Sequence, residues 1–355
     1  MKSVQNNRGL QEQGGLSIVE FMVAMLLGTI LIGGAITIYL ASQRSYVESE
    51  RSMQMSEGAR FALMLITDSL RHAGFMGGIQ GADIENDAGL GAVTGACTGD
   101  GDAYDLTNYI AAVKADSSGD AYGCIDDAVP DSDVLVVKGF LPDPLYDEDP
   151  NDPAAVLDGD IEWPNRTEND KTYVIANVER GLLIDGAESL ASQPDVSQGE
   201  TYAGALAWPY QFQIFYLREP PLRANGDRGV PKLARKVLVY DGTNMVIETQ
   251  DLVEGIERMR FRFGWDDDED GFIDTYGGLE DVETANAWDT VAFVEAFILA
   301  RSESEDVNYE NAKTYQLGDE SFDPNDPAFD ENFVRLLVSN AVTLRCPSLY
   351  LLGGS

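Results

Sequence analysis

Histidine, cysteine and lysine are scarce in this 355-residue chain. The only histidine is His72, so any Ser-His-Asp or Cys-His catalytic unit would have to use that one ring, and it falls in a long helical pattern. The three cysteines, Cys97, Cys124 and Cys346, form no C-x-x-C and no Cys/His cluster, which excludes the common structural zinc sites. Seven lysines and seventeen arginines face 61 acidic residues, for a net charge of −37. Residues 1–79 are balanced, with six basic and six acidic side chains, so the whole excess sits in residues 80–355, with 18 basic and 55 acidic. A surface of that sign repels phosphates and argues against nucleic acid as a partner. It favours solubility and cation binding. Proline is absent from residues 16–79, which leaves room for one long uninterrupted helix.

The hydrophobic pattern is concentrated at the N-terminus. Residues 1–15 are polar and mildly basic and end in Gly14-Gly15; Leu16-Ser17-Ile18-Val19-Glu20 follows, and Phe21–Ala41 contains no charge. As a helix those 21 residues span roughly 31 Å, about one bilayer core. The run is too long for the apolar core of a secretory signal, and no small-x-small cleavage site follows it. Cleavage after Gly15 would instead precede it and leave the apolar helix on the mature chain, with a free amine at Leu16. Glu20 is the one charge at the head of the run; a carboxylate in lipid is costly and calls for a partner, for which a neighbouring subunit's N-terminal ammonium is suited. Lys2 and Arg8 precede the run, which places the N-terminus in the cytoplasm and the bulk of the chain across the membrane. Beyond it, Met55, Ala59, Ala62, Leu63, Ile66, Leu70 and Ala73 recur at spacings of three and four, an amphipathic stripe that predicts helix up to the glycines at 74, 77 and 78.

Gly15-Leu16-Ser17-Ile18-Val19-Glu20 resembles the prepilin peptidase site of type IV pilins and type II secretion pseudopilins. The resemblance implies cleavage after Gly15, methylation of the new N-terminus at Leu16 (Phe is usual there), and pairing of Glu20 with the adjacent subunit. Leu252-Val253-Glu254-Gly255-Ile256-Glu257, the aromatic strand and Asp-rich loop after it, Leu70-Arg71-His72-Ala73-Gly74-Phe75 and the terminal Val342-Thr343-Leu344-Arg345 resemble the PilW-type minor pilins. The chain departs from that family at Gly78, where a cysteine is expected, so the family's disulfide pattern does not carry over. The resemblance implies an α+β, pilin-like fold: a leader (1–15), a transmembrane or fibre-core half-helix (16–41), an amphipathic half-helix (42–79) and a β-rich head (80–355). The implied partners are the membrane, prepilin peptidase, the inner-membrane assembly platform, and the major and other minor pilins. The implied role is to prime a type IV pilus or sit at its tip, and not to act as an enzyme. A J-type pseudopilin of type II secretion and a membrane-anchored calcium-dependent adhesin are the alternatives.

Within the head, strands are predicted at 134–140, 172–178, 210–217, 235–240, 245–249, 257–265, 291–300 and 334–345, with 80–130 rich in loops. One sheet packed on the helix is the economical arrangement. Met259, Phe261, Phe263 and Trp265 alternate with Arg258, Arg260 and Arg262, which predicts a half-buried strand. Asp266, Asp268 and Asp270 follow, then Gly271, Phe272 and Asp274, in the spacing of a calcium loop: carboxylates at 266, 268, 270 and 274, the Phe272 carbonyl, and a turn glycine at 271. Position twelve is Gly277 where a bidentate Glu is usual, with Glu280 or Asp281 as substitutes. Ca2+ is the expected ion, and a solvated acidic turn the alternative. An oxidising compartment predicts a disulfide, Cys97 with Cys124; Cys346 pairing with either is the alternative. The six residues Asp149–Ala154 recur at Asp323–Ala328, and both copies are expected to form turns.

Overall fold

The computed structural model describes residues 15, 17–187, 192–220, 229–268, 270–303, 305, 309–324 and 332–344. The chain divides into two compact units after Met53. Helix α1 (Ile18–His72) is 55 residues long and contributes to both. In the first unit its apolar side chains are bare, with Leu31 and Ile38 each 73 % exposed. Among the described residues it is the one helix long and apolar enough to cross a membrane.

In the second unit the predicted stripe is the face that packs. Ala59, Ala62, Leu63, Ile66, Leu70 and Ala73 are all buried, and burying each of the larger aliphatics contributes about 1.5–3 kcal/mol. Ser69, also on this face, donates to Gln213 Oε1 (2.6 Å), so its hydroxyl enters the core with a partner. The helix ends at His72, seven residues before the expected limit. Gly74 takes the left-handed φ of 70°, which glycine adopts without cost, and its N–H donates to Lys138 O (3.1 Å). The Gly77 and Gly78 region is turn, not helix.

The head carries fourteen strands among the described residues: β1 (Ile84–Asn86), β2 (Ile110–Lys114), β3 (Asp133–Phe140), β4 (Thr172–Ala176), β5 (Gly181–Asp185), β6 (Leu206–Arg218), β7 (Lys232–Tyr240), β8 (Met245–Glu254), β9 (Ile256–Trp265), β10 (Thr275–Gly277), β11 (Val291–Arg301), β12 (Tyr315–Leu317), β13 (Glu320–Phe322) and β14 (Arg335–Thr343). A short helix α2 (Leu279–Ala285) follows β10. All eight predicted strands are present. The expectation of a single sheet is corrected: β1–β8 form one sheet, β10-β9-β11-β14 a second, and β12-β13 a hairpin. Pairing is antiparallel except for β1 with β5. β6 organises the first sheet, pairing with β4 through Leu206–Pro209, β3 through Tyr210–Phe215 and β7 through Gln213–Arg218.

The half-buried reading of β9 is also corrected. Met259, Phe261, Phe263 and Trp265 are buried as expected, but so is Arg260, on the opposite face. Its guanidinium meets Asp133 (2.9 Å), Asp131 (3.0 Å) and Glu320 (2.7 Å). A buried arginine is tolerable only when its donors are matched in this way. Farther along, Glu257 binds fully buried Arg335 of β14. The charges on β9 therefore tie the second sheet to β3 and to the β12-β13 hairpin. Cys97 and Cys124 are joined by a disulfide with Cα atoms 4.8 Å apart; Cys346 lies outside the described residues.

Candidate functional site

Two places predicted from sequence bear on function: the N-terminal motif and the acidic loop. Gly14 and Leu16 lie outside the described residues. Gly15 is exposed, with nothing within 4 Å of the position a Cβ would take. Two residues on, Ser17 caps the start of α1. Its N–H donates to Glu20 Oε2 (3.0 Å), and Glu20 N–H donates to Ser17 Oγ (3.2 Å). This reciprocal pair is a capping box, which satisfies two helix-terminal donors at once. Glu20 thus has a partner within its own chain, one that sequence reasoning missed although the Ser-x-x-Glu spacing signals it.

The acidic loop is the connection of a hairpin. β9 and β10 pair as Trp265 with Thr275, Gly264 with Tyr276 and Phe263 with Gly277, so residues 266–274 close the turn between fixed ends. Asp274 N–H donates to Trp265 O (3.1 Å) and Asp266 N–H to Thr290 O (3.3 Å). The Tyr276 ring meets Phe293 edge-on at 5.3 Å and lies under the Arg262 guanidinium at 5.7 Å. Asp266 is 2 % exposed; its carboxylate accepts the N–H groups of Gly271 (2.7 Å) and Asp270 (3.3 Å). Gly271, at φ 89°, supplies the left-handed turn that brings those donors round.

This folding gathers Asp266, Asp268 and Asp274, with one carboxylate oxygen of each within 4.8 Å of the others. Asp270 is not in the group: its Oδ1 accepts Phe272 N–H (2.9 Å). The Phe272 ring is exposed. Asp267, which the alternating pattern passed over, holds the hairpin shut by accepting from Trp265 Nε1 (2.7 Å) and Thr275 Oγ1 (2.5 Å). Its place between the first and third loop positions gave no sign of that role. The two candidates for position twelve are spent elsewhere. Glu280 pairs with Lys114 (3.2 Å), and Asp281 accepts Gly278 N–H at the start of α2 (2.9 Å).

The three gathered carboxylates can hold a metal ion. The donors are hard oxygens, and two oxygens bound to one calcium at 2.3–2.6 Å lie within about 5 Å of each other, which the spacing satisfies. Electrostatics point the same way: the Asp268 carboxyl is held above its ordinary range, chiefly by the Asp270 carboxylate, then by desolvation and by Asp274. Like charges gathered in this way favour a proton or a cation.

Comparison with known proteins finds a family match in the C-terminal part of the chain. Residues 222–346 match the family model of the Type IV Pilus-assembly protein W. No curated protein and no solved structure matches the chain significantly. The matched span contains β7 to β14, and so the second sheet, the hairpin and the acidic loop. Over that span the chain is similar to the PilW type of type IV pilus assembly proteins.

Proposed function

We propose that the chain is a minor pilin that primes a type IV pilus or sits at its tip. The observation that carries this reading is the bare apolar half of α1, led by Gly15 and Glu20, on a chain whose residues 222–346 match a pilus-assembly family. Prepilin peptidase cuts after Gly15 and leaves Leu16 as the methylated N-terminus. The helix then rests in the inner membrane with the head on the periplasmic side, and later in the fibre core. Glu20 pairs with the N-terminal ammonium of an adjacent pilin, an ion pair strengthened by the low dielectric around it. The work is assembly rather than catalysis.

The loop at 266–274 takes calcium in this reading. Calcium accepts irregular sets of six to eight oxygens, whereas magnesium demands a near-ideal octahedron. Asp266, Asp268 and Asp274 supply the charge, and Asp266 is already fixed by two backbone donors. Ion binding would brace the end of β9.

The test is a deletion strain scored for surface pili and for type II secreted enzymes, then complemented with the full-length chain or with Glu20→Ala. The wild type should restore pili and Glu20→Ala should not, although its head folds. Loss of secreted enzymes with normal piliation would overturn the reading.

A further inference from the structure

Between Phe140 and Asn165 the chain has eight acidic residues and no basic one. The structure closes this stretch into a loop with a fixed neck. Leu145 exchanges two backbone hydrogen bonds with Ala207 of β6 (2.8 and 3.0 Å), and Tyr146 exchanges two with Trp163 (2.8 and 2.9 Å). Just inside the neck, the buried Asp147 carboxylate accepts the N–H groups of Asp158 (3.3 Å) and Gly159 (3.1 Å). Gly159 O accepts Val196 N–H (3.1 Å), and Ile161 is buried below. Residues 148–157 are therefore held at both ends. The two aspartates of the Asp149–Ala154 segment cap its turns, Asp149 accepting Asn151 N–H (2.8 Å) and Asp152 accepting Ala154 N–H (2.9 Å).

This anchored loop holds Val156 and Leu157 out in water, 75 % and 59 % exposed. They are the only adjacent pair of exposed large hydrophobic residues in the head among the described residues. A loop whose sole duty was to be soluble would gain nothing from two aliphatic side chains among carboxylates. Exposed apolar groups rimmed by charge fit a partner with the complementary arrangement.

Charge selects the partner. A second copy of this chain brings a head with 55 acidic and 18 basic residues and is repelled. Nucleic acid and anionic lipid carry the same sign and are repelled too. What fits is a protein surface with an apolar cleft edged by Lys and Arg. We propose that residues 148–157 form a docking loop for such a surface on a different pilin-type subunit, Val156 and Leu157 entering the cleft and the flanking carboxylates meeting its basic rim. This rests on the assembly reading above and adds the chemistry of the neighbour.

The experiment uses the full-length chain in piliated cells, with a photo-crosslinking residue at position 156 and, as a control, at position 178, where Val178 is 86 % exposed. Position 156 should give one discrete adduct to a pilin-type subunit with a basic contact surface, and position 178 should not. Val156→Ser with Leu157→Ser should lower the amount of this chain in sheared pili at least fivefold without changing its melting temperature. No adduct at 156, an adduct with a second copy or with lipid, equal adducts at both positions, or unchanged incorporation of the double variant would each overturn the inference while leaving the assembly reading intact. Normal piliation of the deletion strain would sink both.

Discussion

Removing one carboxylate at a time from the loop at 266–274 separates a cation site from an acidic turn. Asp266, Asp268 and Asp274 converge, whereas Asp270 faces its own turn. With three carboxylates and no ligand from position twelve, affinity should be modest, on the order of 10⁻⁴ M as in extracellular modules. At about 10 mM calcium, a hundredfold excess, binding to the folded state alone stabilises it by roughly 2.7 kcal/mol. For a domain of this size that raises the melting temperature by roughly 5 °C. The assay is thermal unfolding of the full-length chain in detergent, with calcium and with EGTA. Asp268→Asn should abolish the calcium shift. Because Asp268 is exposed and repelled by its neighbours, the same change should leave the EGTA melting point equal or higher. Asp266→Asn should abolish the shift and also lower the EGTA melting point, since the buried carboxylate serves two backbone donors. Asp270→Asn should keep most of the shift. Equal melting of the wild type in both buffers, or a full shift in Asp268→Asn, would refute the reasoning. A shift lost in Asp270→Asn as well as in Asp268→Asn would restore the ligand set expected from spacing.

N-terminal sequencing of chain extracted from membranes should begin at Leu16, and a bulky residue at Gly15 should block that cut; a chain retaining Met1 or beginning beyond Ala41 would contradict it. Non-reducing peptide mapping should pair Cys97 with Cys124, and replacing both with serine should cost about 3–4 kcal/mol of head stability on the chain-entropy account of a loop this long. Lys138 is fully buried beneath Asp105 O, and burial pulls its ammonium down to about 8. The unfolded chain then binds more protons than the folded one between that value and the ordinary lysine range, so stability should rise by about 1–2 kcal/mol from pH 8 to 9.5. Lys138→Met should flatten the rise, and a wild-type profile that falls over the same window would show that the lysine stays charged in the fold.

What could be read from sequence, and what could not, divides by the range of the interaction that decides it. The stripe from Ala59 to Ala73, the alternation from Met259 to Trp265 and the eight strand runs are set by each residue's immediate neighbours, and they emerge at nearly the expected bounds. β2 is three weak residues, Ile110-Ala111-Ala112, with Val113 and Lys114; it is a strand because β3 lies beside it, a partner no local pattern names. Arg260 looked like the solvent side of a strand because Asp133 and Glu320, which neutralise it, are 127 and 60 residues away. The acidic loop shows the same limit within nine residues. Its spacing is that of a loop between helices, in which position twelve, here Gly277, usually carries a ligand that Glu280 or Asp281 would have to replace. The chain instead returns as a hairpin and sets Gly277 opposite Phe263 in the ladder. That register carries Glu280 and Asp281 past the turn into α2, where Lys114 and the helix start engage them. It also turns Asp267 into the latch of the hairpin rather than a gap in the ligand pattern. The spacing thus conveyed that carboxylates gather here, while the strand pairing decided which of them do. The ligand set testable by mutation is therefore the smaller one, Asp266, Asp268 and Asp274.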